Sequence, residues 1–219
     1  MRTAGRLVVV IAVAATGATA AAPAKLPFAG LFHAKVAWTL PCQYGHDGQL
    51  AAHGELACAI DAASTAGATT RAHLTCSGQT DVLGDIHAWA LEPRTLVATA
   101  DGLWSVDDDG PDGRGSADVA HATSAPPLLA AKPAAGKRRR DDDPNGYAGM
   151  WFVTSQLGTS WCVGKTPWGW GGGTHVWITC FSPDGQLTGM AGFKQESNIA
   201  ELRCGATPPA QSVLDEIRR

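Results

Sequence analysis

The chain has 219 residues, with 17 Lys and Arg against 20 Asp and Glu, for a formal charge of −3. That balance argues against nucleic acid or an anionic membrane surface as partner, since neither is attracted by a mildly acidic protein. The six cysteines include no C-x2-C pair, and at least 15 residues separate any two of them, which disfavours a zinc site.

The N-terminus reads as an export signal. Arg2 and Arg6 precede the apolar run Leu7–Ala15, and small residues at 18–22 supply a cleavage site after Ala20 or Ala22. The run is well short of the ~20 apolar residues that span a bilayer, so cleavage is favoured over an anchor. Without Arg2 and Arg6 the charge falls from −3 to −5. The mature protein is expected to be secreted or periplasmic, with no membrane span.

Residues 26–106 form a first β-rich half. Short, partly alternating segments occur at 33–40, 54–61, 69–76, 86–92 and 94–100, each bounded by Gly, Pro, Asp or Ser. Residues 107–145 lack any aromatic side chain and are rich in Asp, Gly, Pro, Ala and Arg. Such a composition buries too little apolar surface to offset its ordering entropy, so a disordered linker is predicted there. A second β-rich half follows at 146–204, with strands at 149–155, 159–165, 174–181, 186–193 and 198–204. Residues 205–219 are read as a tail with one helical turn at Ser212–Ile217. The fold class is all-β: an antiparallel, disulfide-stabilised sandwich or barrel, built from two similar hairpin-containing halves.

Cysteine spacing sharpens this reading. An even count in an exported chain implies disulfides. Cys58 to Cys76 and Cys162 to Cys180 have equal spacing, with Gly67 and Gly171 at the midpoints. Two bridged hairpins follow, and Cys42–Cys204 is the third bridge by elimination. Direct cross-strand pairing fixes the register. In the first hairpin, Ile60 faces Leu74 and Asp61 faces His73. In the second, Gly164 faces Ile178, Trp161 faces Phe181, Val163 faces Thr179 and Lys165 faces Trp177. The cysteine sides are expected in the core. The other side is solvated in the first hairpin and aromatic in the second.

The aromatic side is either core, with Trp38, Trp89, Trp104 and Trp151 as a facing layer, or a binding platform. Trp168 and Trp170 lie at the glycine-rich tip, where little can bury them. The candidate ligand-binding residues are therefore Trp168, Trp170, Trp177 and Lys165. Catalytic signatures are sparse. Ala51-Ala52-His53 matches the histidine motif of trypsin-like serine proteases, but no Gly-Asp-Ser-Gly-Gly segment accompanies it. Neither G-x-S-x-G nor H-E-x-x-H occurs. His33, His46, Asp47 and His53 lack regular metal-ligand spacing, and the run Asp107–Asp112 fails the EF-hand pattern at its first and last positions. No metal and no cofactor is expected. The sequence favours a non-enzymatic binding or envelope-associated module for carbohydrate or another secreted protein. A secreted hydrolase with an unidentified carboxylate or His site is the second reading, and a structural or inhibitor-like domain the third.

Overall fold

The computed structural model describes residues 37–47, 49–67, 69–78, 94–107, 126–142, 149–168, 174–183, 186–195 and 199–219. Among these residues, twelve antiparallel strands form one sheet. They are β1 (Ala37–His46), β2 (Gln49–Ala66), β3 (Thr69–Ser77), β4 (Arg94–Ala98), β5 (Gly102–Asp107), β6 (Leu129–Ala130), β7 (Arg138–Asp142), β8 (Gly149–Leu157), β9 (Ser160–Trp168), β10 (Thr174–Phe181), β11 (Leu187–Gln195) and β12 (Ile199–Gly205). Their order in the sheet is β6-β5-β4-β3-β2-β1-β12-β11-β10-β9-β8-β7.

That order is a meander interrupted only at β6 and β7, which lie at opposite edges yet are joined by residues 131–137 alone. A connection this short spans at most ~25–29 Å, so the sheet curls until its two edges meet. No ladder joins β6 to β7. Arg139 bridges the seam, donating to the Pro127 carbonyl at 2.6 Å. The same guanidinium pairs with Asp141 at 2.9 Å and lies 4.2 Å from the centre of the Phe152 ring. The result is a sandwich-like, unclosed sheet whose interior is filled from both halves.

Period-two alternation decides what fills that interior. Leu40 and Cys42 of β1, Leu56, Cys58 and Ile60 of β2, and Ala72 and Leu74 of β3 point inward. They meet Val163, Phe181, Met190, Leu202 and Cys204 from the second half. On β1–β3 the alternate residues Thr39, Gln43, His53, Glu55 and Arg71 are exposed. This is the reverse of a lipid-facing barrel, whose apolar residues point outward.

All three disulfides form: Cys42–Cys204, Cys58–Cys76 and Cys162–Cys180. Stable bridges belong to an oxidising compartment, and no helix among the described residues is long and apolar enough to cross a membrane. The predicted register holds throughout the second hairpin. In the first it holds from Ala57↔Ser77 to Ile60↔Leu74 and then breaks. A bulge places Ala62, not Asp61, opposite His73. Gly67 sits at the hairpin turn with φ of 60°, a left-handed conformation that glycine adopts without a Cβ penalty.

Three other expectations need correction. The predicted linker contains two strands, β6 and β7. Arg138–Asp142 is strand β7, paired residue for residue with β8 from Arg138↔Val153 to Asp142↔Gly149. Residues 108–125 and 143–145 lie outside the described residues. The predicted tail is a helix, α1 (Ala210–Arg218), with Ala210, Val213, Leu214 and Ile217 buried. Their i, i+3, i+4, i+7 spacing makes one apolar stripe. This stripe covers the Cys162–Cys180 side of the second half, together with Val153, Val176, Ile178, Ala191 and Phe193. That cysteine side is therefore buried under α1, outside the curled sheet. The facing layer of tryptophans is also only partly as expected. Trp38 packs on the interior, Trp151 packs on the α1 side, and Trp104 is buried across from Val97 of β4. Trp89 lies outside the described residues.

Candidate functional site

Strand polarity sorts the connections into two kinds. At one end of the sheet the chain turns at 67–68, 99–101, 158–159 and 182–186, and the seam segment 131–137 lies there too. At the other end lie 47–48, 78–93, 108–128, 143–148, 169–173 and 196–198. Long connections carried by a fixed scaffold are where binding groups concentrate.

A cleft in the sheet interior reaches this long-connection end. Arg94 is the first residue of β4, at the rim. Ser105 comes from β5, Lys165 from β9, and Trp177 and Thr179 from β10, with Phe181 deeper in. The cleft has a volume of about 30 Å³, room for a water or two, so it admits one functional group of a ligand and not a whole ring. Leu74, Leu96, Leu128 and Val163 make its apolar walls.

Lys165 and Trp177 are cross-strand partners in the β9–β10 ladder. Both are half-buried. The Lys165 ammonium lies 5.7 Å from the centre of the Trp177 ring, a cation–π distance worth roughly 0.5–1 kcal/mol where exposed. His175, two residues before Trp177 on the same face, places its ring 5.6 Å from that of Trp177 at a tilt of 51°. The indole thus has two polar neighbours at the rim of an apolar slot. Arg94 is only 7% exposed and stands cross-strand from Asp107 in the β4–β5 register. A guanidinium this buried requires satisfied hydrogen bonds.

Of the four candidate ligand residues, the fold brings Lys165 and Trp177 together. Trp168 ends β9, paired with Gly149 of β8, and its side chain lies outside the described residues, as does all of Trp170. Trp161 and Phe181 belong to the interior: Phe181 is 1% exposed, and Trp161 packs on the same cluster. Arg94 and Ser105 were missed from the sequence. Arg94 begins a strand read correctly, but only the curl of the sheet carries it across to β9 and β10, and no local pattern encodes that meeting. Among the described residues, no three His, Cys, Asp or Glu side chains gather as a metal site. No family model and no curated protein matches the chain.

Proposed function

We infer that this is an exported binding module without catalytic chemistry, taking a carbohydrate ligand at the long-connection end. Export rests on the basic, apolar and small-residue order of the first 22 residues, which delivers the chain to the periplasm or beyond. The mature form then begins after Ala20 or Ala22. The observation that carries the binding reading is the Lys165–Trp177 pair at the mouth of the inner cleft. An indole face accepts the apolar C–H side of a sugar ring, and the adjacent ammonium donates to its hydroxyls. The cleft receives one substituent between Ser105, Thr179 and Arg94, while the ring stays at the rim. A secreted protein is the other ligand class served by such a rim.

Titration of the full chain with neutral soluble oligosaccharides, read by tryptophan fluorescence and calorimetry, tests this reading. Trp177→Leu is expected to weaken binding about tenfold or more, the size of a lost stacking contact, with the fold retained. A panel without a binder, or a Trp177→Leu protein that binds as well as the parent, overturns it.

A further inference from the structure

On the opposite face of the sheet a second depression, of about 420 Å³, lies between α1 and strands β7–β9. Its walls include Arg138, Trp151, Thr166, Leu214, Arg218 and Arg219. The Arg140 guanidinium lies 5.7 Å from the centre of the Trp151 ring. In a chain of net charge −3, three arginines thus line one groove beside Trp151, and a fourth flanks its ring. Two of the lining three are tied to α1. Arg138 donates to the Ile217 carbonyl at 3.2 Å, satisfying a carbonyl of the last helical turn. Arg219 pairs with Glu216 at 3.2 Å, an exposed contact of little strength.

We propose that this groove binds an acidic glycan, with a sugar ring against Trp151 and its carboxylate or sulfate on Arg138 and Arg218. Planar guanidinium forks match such oxyanions in two-point hydrogen bonds. An indole supplies the apolar face that a pyranose needs. A peptide strand fits less well. The groove floor is β8 and β9, which pair with each other and with β7 and β10, so a strand laid on the floor meets side chains rather than a backbone edge. A polynucleotide would need a basic track along its backbone, and here the positive charge stops at one groove. The site shares with the function inferred above only the export of the chain. It lies across the sheet from Lys165 and Trp177, so variants of one leave the other intact.

The test uses the full chain with five probes: oligogalacturonate as the carboxylate arm, dextran sulfate as the sulfate arm, neutral dextran, polyaspartate and a thymidine oligomer. Calorimetry is run on the parent, on Arg138→Ala/Arg218→Ala and on Trp151→Leu, with Trp177→Leu alongside. Binding of either acidic glycan supports the proposal, and the arm that binds names the oxyanion. The double arginine variant is expected to lose about tenfold or more, the size of a lost charged hydrogen bond. Trp151→Leu loses affinity for the glycan but keeps the arginines, whereas Trp177→Leu is unaffected. Arg138→Lys/Arg218→Lys, which keeps charge and fold but not the fork, is expected to bind at an intermediate level. Equal binding of polyaspartate, of neutral dextran or of a thymidine oligomer overturns the proposal, as does acidic-glycan binding that ignores all three groove substitutions.

Discussion

Replacing Cys42 and Cys204 with Ala removes the bridge between β1 and β12, and its cost can be worked from the chain. The bridge closes a sequence separation of 162, whereas each hairpin bridge closes 18. In the chain-entropy account, a cross-link restricts the unfolded state by an amount that grows with the logarithm of loop length. That amounts to about 5 kcal/mol for the long loop and about 3 kcal/mol for each short one. The two hairpin bridges shorten the long loop only slightly, and the logarithm barely changes. Both sulfurs of the long bridge belong to buried residues, Cys42 at 6% and Cys204 at 0% exposure, so their loss also opens a small void. Urea unfolding under non-reducing conditions, followed by tryptophan fluorescence, compares Cys42→Ala/Cys204→Ala with Cys58→Ala/Cys76→Ala. The long-bridge variant is expected to lose more stability and to show a steeper denaturant dependence, because its unfolded chain exposes more surface. A loss equal to or smaller than that of the hairpin variant, with an unchanged slope, refutes the reasoning.

A Cβ on Gly164 would overlap a Val213 methyl, so Gly164→Ala is expected to cost about 1–3 kcal/mol by lifting α1 from the sheet. Adding Val213→Ala recovers part of it, which a double-mutant cycle in thermal melts measures. Phe181→Ala, at 1% exposure, is expected to cost about 3–5 kcal/mol in chemical unfolding. Arg139→Ala removes the seam hydrogen bond to Pro127 and is expected to cost about 1–3 kcal/mol, and amide exchange should rise first in β7. Limited trypsin digestion of the parent should leave Arg138–Arg140 uncut while the β7–β8 ladder holds, and first cleavage there contradicts the strand.

Local features of the chain were legible. Alternation and turn residues located most of the described strands, because both are properties of a few consecutive residues. The equal spacing of Cys58–Cys76 and Cys162–Cys180 led to the correct pairing and to the ladder that sets Lys165 beside Trp177. The misses have physical causes. Arg138–Asp142 reads as a solvated charge run because it is an edge strand, where charged residues are common and serve to discourage pairing with other chains. Its order comes from β8, from the Phe152 ring under Arg139 and from the Pro127 carbonyl, none of which is visible in its own five residues. The Asp61 bulge also escaped notice, since one extra residue leaves the apolar pattern on either side intact. The cleft was half legible: the β9–β10 contribution follows from register, but Arg94 and Ser105 arrive through the curl. The tip tryptophans Trp168 and Trp170 remain the part of the sequence argument that the described side chains do not reach.

The strand order also sets a schedule. A chain that emerges N-terminus first presents β1 long before β12, its neighbour in the sheet. The Cys58–Cys76 hairpin can close on its own as soon as both strands are out. Cys42 must wait for Cys204, 162 positions later, which at synthesis rates of about 5–20 residues per second is roughly 8–30 s. Throughout that interval β1 has one side unladdered and a thiol with no correct partner in reach, while Cys58, Cys76, Cys162 and Cys180 all pass within range. A newborn molecule is therefore most exposed to mispairing through its earliest cysteine. A host deprived of disulfide-isomerising activity should accumulate forms in which Cys42 is joined to the wrong sulfur.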